Sequence, residues 1–227
     1  MIKVAGILLG IILMSSAVGA GETMKKETIA LPNPSHKGTV SVEEAIKGRR
    51  TVRSFRSDPL TLSQLSQLLW AAQGITDEKR GFRSAPSGGA LYPLDVYVVL
   101  GKEGVEHLVT GVYRYLPQSH ALEKVGEGDR RHDVARAALG QDWMAEAPVI
   151  FVITAEYSRI TGKYGKRGVR YATIEVGHAG QNLFLQAGAL ELGAGIVGAF
   201  DDDKVADVIR AKAGHEPLCI MPVGYKK

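Results

Sequence analysis

Three arginines surround a threonine in the segment GRRTVRSF, which spans residues 48–55. Arg49, Arg50 and Arg53 place guanidinium groups at positions i, i+1 and i+4 around the small hydroxyl side chain of Thr51. Guanidinium groups bind phosphate through paired N–H donors that match the geometry of the phosphate oxygens. The segment therefore predicts a phosphate-binding site, and the alternative interpretation is a solvated basic surface.

A second candidate is the segment APSGGALYP, residues 85–93, which has the composition of a loop. Ser87, Gly88 and Gly89 offer a backbone that a flat ligand can approach closely, because glycine carries no side chain. A plain turn is the alternative interpretation of this segment.

Gly193, Gly195 and Gly198 form the pattern G-x-G-x-x-G of dinucleotide-binding loops. That loop requires a strand before the glycines and a helix that opens within them, so that the pyrophosphate meets a helix N-terminus. Here a predicted helix precedes the glycines, and the next helix begins near Asp201, whose charge repels phosphate. We therefore interpret the glycines as a helix end followed by a strand whose backbone a flat group can approach.

Metal and nucleophile patterns are weak in this sequence. The six histidines show neither H-x-x-x-H spacing nor a His/Cys cluster, so no metal site is predicted, and His178 is interpreted as a core or interface residue. Cys219 is the single cysteine and lies in the apolar run PLCIMPVG, which predicts a buried small side chain rather than a catalytic thiol. Neither G-x-S-x-G nor a P-loop is present.

The elements that must position these residues mix helices and strands without regular alternation, which predicts an α+β fold. Capping boxes begin two helices, with Ser41 and Glu44 in the first and Thr61 and Gln64 in the second. Further expected elements are a strand at 94–100, a hairpin turning at 117–119, a strand at 147–155, a long helix at 171–193, a short strand at 193–200, a helix from Asp201 or Asp202 to Ile209, and a last strand at 217–224.

Bulk composition limits the class of protein and its partners. The 227 residues are 45% hydrophobic and 23% charged, as expected for one globular domain, here residues 41–227. A net charge of +4 is too small to predict nucleic-acid binding without a concentrated basic patch.

Residues 1–20 have the pattern of a secretory signal peptide, with Lys3, an apolar run and small residues before Ala20. Cleavage after Ala20 predicts an exported, periplasmic or extracytoplasmic protein, and an uncleaved run would anchor the chain in a membrane. Residues 21–40, with Pro32 and Pro34, are expected to form an extended arm.

Five segments in order resemble the FMN-dependent nitroreductase superfamily, and most closely its SagB-type dehydrogenase branch. They are RRTVRSF, LSQLLWAAQGIT, APSGGALYPLDVYVV, KYGKRGVRYATIEVGHAGQNLFLQA and LGAGIVGAFDDD, and the resemblance covers about residues 29–225. It implies a nitroreductase-like fold with a mixed central β-sheet flanked by helices. It also implies a homodimer with FMN at the subunit interface, in which the arm wraps the partner.

The resemblance assigns roles to individual positions. The segment that matches the family's phosphate- and ribityl-binding residues consists of Arg49, Arg50, Thr51 and Arg53. The loop that matches the one against the isoalloxazine ring contributes Pro86, Ser87, Gly88, Gly89 and Leu91. Gly198 and Ala199 fall where the family directs a backbone N–H at flavin N5 and O4, while Gln181 and Asn182, and Lys226 or Lys227 near the phosphate, are further candidates.

Lys163 and Tyr164 resemble a Lys-Tyr pair of the azoline-oxidising branch, where the pair assists deprotonation of the substrate. An amine of lowered pKa or a phenol can accept such a proton while hydride leaves to the flavin. An ordinary charged surface loop is the alternative.

The leading functional hypothesis is an exported oxidoreductase with FMN. It would pass hydride through flavin N5 from NAD(P)H or another reductant to a small-molecule substrate. The alternatives are a heterocycle dehydrogenase that uses Lys163 and Tyr164, and a flavin-binding protein without turnover.

Overall fold

The structure is a computed structural model that describes residues 28–227. The predicted signal peptide or anchor at 1–20, and the arm up to residue 27, lie outside the described residues. Within the described range, no helix combines the length and apolar character needed to cross a membrane.

A seven-stranded sheet is the centre of the described chain, and a separate two-stranded ribbon accompanies it. The strands are β1 (Thr28–Ala30), β2 (Ile75–Asp77), β3 (Phe82–Arg83), β4 (Leu94–Leu100), β5 (Gly111–Leu116), β6 (Ala121–Glu127), β7 (Val149–Glu156), β8 (Leu192–Ala194) and β9 (His215–Tyr225). The sheet order is β1-β6-β5-β4-β7-β9-β8, and β2 pairs with β3 in the ribbon.

Six α-helices accompany the sheet in the described range. They are α1 (Val42–Gly48), α2 (Leu62–Gln73), α3 (Arg131–Ala137), α4 (Ser158–Tyr164), α5 (Arg167–Ala189) and α6 (Asp202–Val208). Capping boxes at Ser41 and at Thr61 begin α1 and α2 as predicted, and each cap contributes about 1 kcal/mol. Asp201 caps α6, which confirms one of the two predicted caps.

Both faces of the sheet are covered, because successive residues of β4 enter two different cores. Val96 and Val98 pack in the core that contains α2 and α5, whereas Tyr97 and Val99 pack in the core that contains α3 and α6. All seven residues of β4 are buried for this reason. The expected α+β architecture, with a sheet between helices, is confirmed.

The ladders of the sheet are antiparallel, and parallel pairing enters through isolated bridges such as that between Thr51 and Ala194. The strand expected at 193–200 is displaced, because β8 ends at Ala194 and Val197 makes a lone bridge to Ile220. Helix α5 begins at Arg167, before the predicted start, and is about 34 Å long at 1.5 Å per residue.

The arm is held by its own chain in the described residues. β1 pairs antiparallel with β6, so Thr28–Ala30 extends the sheet at its edge. The Pro32 carbonyl accepts a hydrogen bond from the Ser66 hydroxyl at 2.5 Å. Wrapping of residues 28–40 around a second copy stays a prediction.

Candidate functional site

The arginine segment lies along the edge of the main sheet. The Val52 N–H donates to the Ala194 carbonyl at 2.9 Å, and Phe55 bridges Lys226 on the other side. Residues 51–55 therefore join β8 to the end of β9. This pairing places Thr51 and Val52 against Ala194, which precedes Gly198 and Ala199 by four and five residues in the chain.

The three arginines differ in what they contact. Arg50 donates to the carbonyl oxygens of Lys47 at 3.0 Å and of Arg49 at 2.8 Å, so its guanidinium satisfies acceptors at the end of α1. Arg49 lies over the Phe184 ring, and Arg53 lies over the Trp143 ring. Within residues 28–227, neither Arg49 nor Arg53 forms an ion pair. Their charge is therefore available to an anion.

The three glycines of the G-x-G-x-x-G pattern have different environments. A Cβ on Gly193 would lie 2.8 Å from the Val52 side chain, and one on Gly195 would lie 2.8 Å from the Trp143 ring. These two glycines are needed for packing of the chain itself. A Cβ on Gly198 would meet nothing within 4 Å, so this position is open to a ligand.

Two exposed backbone donors follow β8 in the chain. Gly198 and Ala199 are exposed, and among residues 28–227 their N–H groups have no protein acceptor. The Ala199 carbonyl accepts a hydrogen bond from Gln141 at 3.3 Å. Exposed N–H groups without a protein acceptor can donate hydrogen bonds to acceptor atoms of a ligand.

The glycine loop, residues 86–92, has an unusual backbone. Gly89, Ala90 and Tyr92 all adopt positive φ, at 64°, 53° and 47°. For residues other than glycine, this conformation costs of order 1–3 kcal/mol each and requires support from the surroundings. The Ser87 hydroxyl supports the loop by accepting the Tyr92 N–H at 2.9 Å.

Neighbouring elements hold the glycine loop from two further directions. Glu175 on α5 accepts the Gly88 N–H at 2.9 Å. Arg83 stacks its guanidinium over the Tyr92 ring at 4.7 Å, and the Arg83 N–H donates to the Tyr92 hydroxyl at 3.2 Å. The loop is therefore fixed from both ends, as a rigid ligand-binding surface requires.

Lys163 and Tyr164 end helix α4 directly over the glycine loop. A Cβ built on Gly89 would lie 2.8 Å from Tyr164 Oη and 3.0 Å from Lys163 Nζ, so both polar atoms converge on one point. The Tyr164 ring packs edge-on against Tyr171 with centroids 5.1 Å apart. The structure thus brings the Lys-Tyr pair and the loop together.

A slot of about 310 Å³ lies between the glycine loop and α5. Its lining residues are Pro86, Ser87, Gly88, Tyr171, Ile174, Glu175 and His178. Burial raises the pKa of Glu175, and the Gly88 N–H opposes that shift. Sequence reasoning missed Glu175 and Tyr171, although positions 171, 174, 175 and 178 share one face of the predicted helix.

The predicted site residues form two groups on one chain. Arg49 contacts α5 at Phe184, whereas Gly88 contacts α5 at Glu175, nine positions earlier. That separation corresponds to about 13 Å along the helix axis. The slot at the glycine loop includes none of the arginines.

The remaining candidates lie apart or have other contacts. Gln181 is exposed on α5, and Asn182 donates to the carbonyl of Ser84, two residues before the glycine loop, at 3.3 Å. Lys227 pairs with Glu146 at 2.8 Å. Cys219 is buried, which raises the pKa of its thiol to about 12, so the expectation of a buried small side chain is confirmed.

Comparison with known proteins shows which family this chain belongs to. The profile of the Nitroreductase family matches residues 46–225, which includes every element from α2 to β9. The chain belongs to the Nitroreductase family. Members of this family are generally flavin-dependent, and the chain is an oxidoreductase. The resemblance stated from the five sequence segments is confirmed at the level of the family.

Three relatives of this nitroreductase-family chain are informative. A protein of Methanocaldococcus jannaschii classed as a nitroreductase, MJ1384, is 44% identical over 91% of this chain and 98% of the relative. A nitroreductase-class structure from Ralstonia eutropha JMP134 has a TM-score of 0.78 and 29% identity over 92% of this chain and 93% of that one. A chain of the Escherichia coli microcin synthetase McbBCD complex, with truncated pro-MccB17 bound, has a TM-score of 0.68 and 27% identity over 93% and 85%.

Proposed function

We propose that this chain is an FMN-dependent oxidoreductase that binds the cofactor between the arginine segment of one copy and the glycine loop of another. The proposal rests on two observations in the described residues: the exposed N–H groups of Gly198 and Ala199 have no protein acceptor, and Arg49 and Arg53 form no ion pair. When bound, FMN would supply the hydride acceptor and donor that these side chains lack. NAD(P)H or another reductant would provide the hydride.

The chemistry of the donors suits FMN. Its phosphate is a dianion, and Arg49 and Arg53 offer guanidinium groups without a competing carboxylate in the described residues. Thr51 is exposed beside them and offers a hydroxyl donor. The open face of Gly198 admits a flat ring, and its N–H and that of Ala199 can donate to acceptor atoms on the ring edge.

A homodimer would join the two groups of site residues. Helix α1 buries none of its residues, and Val42 and Ile46 on this helix are 65% and 56% exposed. Val169 and Ile174 on α5 are also exposed, as is Ile196 next to Gly198. Exposed apolar side chains at these positions favour a partner surface that buries them, and a second copy supplies the missing half of each site.

Lys163 and Tyr164 support a second candidate function, oxidation of an azoline-type heterocycle in a peptide. Their polar atoms converge over Gly89, where they can take a proton from a ring carbon of the substrate. The McbBCD complex that contains the related chain has truncated pro-MccB17 bound, which favours a peptide substrate for this chain as well. The apolar slot beside Tyr171 would hold the heterocycle or its neighbouring side chain.

The first test is the visible spectrum of the purified full chain, with identification of any cofactor released on denaturation. We expect FMN at about one per chain. The double variant Arg49→Ala/Arg53→Ala removes two charge-assisted contacts and should raise the Kd for FMN by about a hundredfold or more. Arg50→Ala is the matched control and should have a much smaller effect, because Arg50 is engaged by α1. Equal affinity in the double variant and the wild type would contradict the proposal.

A further inference from the structure

Four side chains that the proposed function does not use meet at one end of the main sheet. Asp95, Glu156 and His215 place their ligand atoms within 4.8 Å of one another. Such a set could hold a metal ion, but Arg159 already lies between the carboxylates. Its Nη2 is 2.7 Å from Asp95 Oδ2 and 2.7 Å from Glu156 Oε2, so the guanidinium is the cation of the cluster.

The sheet and α4 build this cluster together. Glu156 pairs with His215 across β7 and β9, and Asp95 pairs with Thr154 across β4 and β7. Arg159 enters from the first turn of α4, one helical turn before Lys163. The Asp95 side chain is 9% exposed, and its buried Oδ2 has the ion pair but no aligned hydrogen bond in the described residues.

Arg159 also reaches the glycine loop. Its Nη1 donates to the Tyr92 carbonyl at 3.3 Å, at the residue whose positive φ ends the loop. One guanidinium thus links α4, the glycine loop, the start of β4 and the end of β7. In the described residues, Arg159 joins the helix that carries Lys163 and Tyr164 to the loop that those residues face.

We propose that Arg159 is a positioning residue that sets Lys163 and Tyr164 against Gly89 by fixing α4 and the glycine loop to the same two carboxylates. This inference rests on the proposed function, in which the Lys-Tyr pair acts on substrate at the loop. Proton transfer requires atoms held within hydrogen-bond reach, and an error of about 1 Å can cost a hundredfold in rate. The planar guanidinium group of arginine can fix these positions, because it donates hydrogen bonds to several acceptors at once in a fixed geometry.

The charges of the cluster give a second readout that does not depend on activity. Burial lowers the pKa of His215, Asp95 and Glu156 raise it, and Arg159 and Lys212 lower it. Other polar groups facing the imidazole are the Thr154 hydroxyl, 3.3 Å from Nδ1, and the edge-on Tyr97 ring. Without Arg159, the two carboxylates would retain His215 as their nearest cationic partner, and its pKa should rise.

The experiment compares Arg159→Lys and Arg159→Met in the full chain, with Arg136→Lys and Arg136→Met as controls. Arg136 pairs with Asp133 on α3, so the controls break an arginine–carboxylate pair elsewhere. Lysine keeps the positive charge but lacks the planar set of guanidinium donors, whereas methionine lacks both. The measurements are bound FMN, nitroarene reduction, oxidation of a thiazoline-containing peptide, the His215 titration by NMR, and amide hydrogen exchange in residues 86–92 and 158–166.

With FMN added to saturation, we expect kcat for the thiazoline peptide to fall at least about tenfold more than kcat for nitroarene reduction in both Arg159 variants, with little change in KM for the peptide. Exchange should accelerate in both segments, and the His215 pKa should rise in Arg159→Met but not in Arg159→Lys. The controls should match the wild type.

The inference would be overturned if Arg159→Lys kept the wild-type kcat for the thiazoline peptide, or if exchange accelerated in only one of the two segments. It would also be overturned if the wild type bound FMN but its oxidation of the thiazoline peptide did not depend on Lys163. A wild type that binds no FMN would instead refute the proposed function. The exchange data would then still decide whether Arg159 joins α4 to the loop.

Discussion

The Glu175 carboxylate accepts the Gly88 N–H at 2.9 Å and is buried between α5 and the glycine loop. A glutamine at this position can accept the same hydrogen bond without a charge. Burial raises the pKa of Glu175, so its ionisation opposes folding. This contribution to stability is complete below the ordinary pKa near 4.5 and is lost as the pH rises through the folded value.

Glu175→Gln should therefore raise the melting temperature relative to wild type at pH 8 more than at pH 4.5. Thermal unfolding of both proteins across this range measures the difference. Glu175→Ala is the control, because it removes the acceptor and should destabilise the protein at both values of pH. A Glu175→Gln difference that does not change with pH would show that the carboxylate is not desolvated in solution.

Gly195 and Gly198 should respond differently to the same substitution. Gly195→Ala places a methyl group 2.8 Å from Trp143 and 2.9 Å from the Val52 carbonyl, and should cost roughly 1–3 kcal/mol of unfolding free energy. Gly198→Ala meets open space and should change stability by less than about 0.5 kcal/mol. Under the proposed function it should weaken FMN binding, because the methyl group covers the exposed N–H surface. Denaturant unfolding and FMN titration check both effects, and equal unfolding free energies for the two variants would contradict the assignment.

His120 should make attachment of the arm sensitive to acid. Its Nε2 lies 2.7 Å from Ser66 Oγ and 3.0 Å from the Pro32 carbonyl, and its Nδ1 lies 2.7 Å from Tyr115 Oη. Burial lowers the pKa of His120, which the Pro32 carbonyl partly opposes. Stability from the neutral imidazole is present above the ordinary pKa of 6.5 and is lost as the pH falls through the folded value.

We therefore expect amide exchange in residues 28–35 to accelerate below pH 6 relative to the rest of the sheet. His120→Asn tolerates the left-handed backbone at this position, φ 44°, and should remove the pH dependence. Identical pH profiles for the variant and the wild type would assign the acid sensitivity to another group.

Ile46 should be part of the dimer surface. Its side chain is 56% exposed on α1, so Ile46→Glu should cost little in an isolated chain but would place a charge in the interface of the proposed homodimer. Light scattering should show a dimer for the wild type and a shift to monomer for the variant. Val109→Glu is the control, because Val109 is 65% exposed in the loop between β4 and β5. Dissociation by both substitutions, or by neither, would exclude this surface.

Local chemistry made several elements predictable. Ser41 and Thr61 each have their capping partner three residues ahead, so both helix starts follow from a short pattern. The strand at 94–100 is a run of apolar residues interrupted by Asp95, and the structure has the same bounds. The start of α5 at Arg167 was missed, because the charged residues before 171 give no apolar periodicity.

The sequence by itself determined the α+β class, the arginine segment, the glycine loop and the family, because these depend on residue types in short segments and on their order. The tertiary structure decided which arginines are free, which of the three glycines is open, and that Glu175 and Arg159 hold the glycine loop. Gly88 and Glu175 are 87 positions apart, and Arg159 and Tyr92 are 67 apart. Contacts at such separations depend on how helices pack on the sheet, which no local pattern encodes.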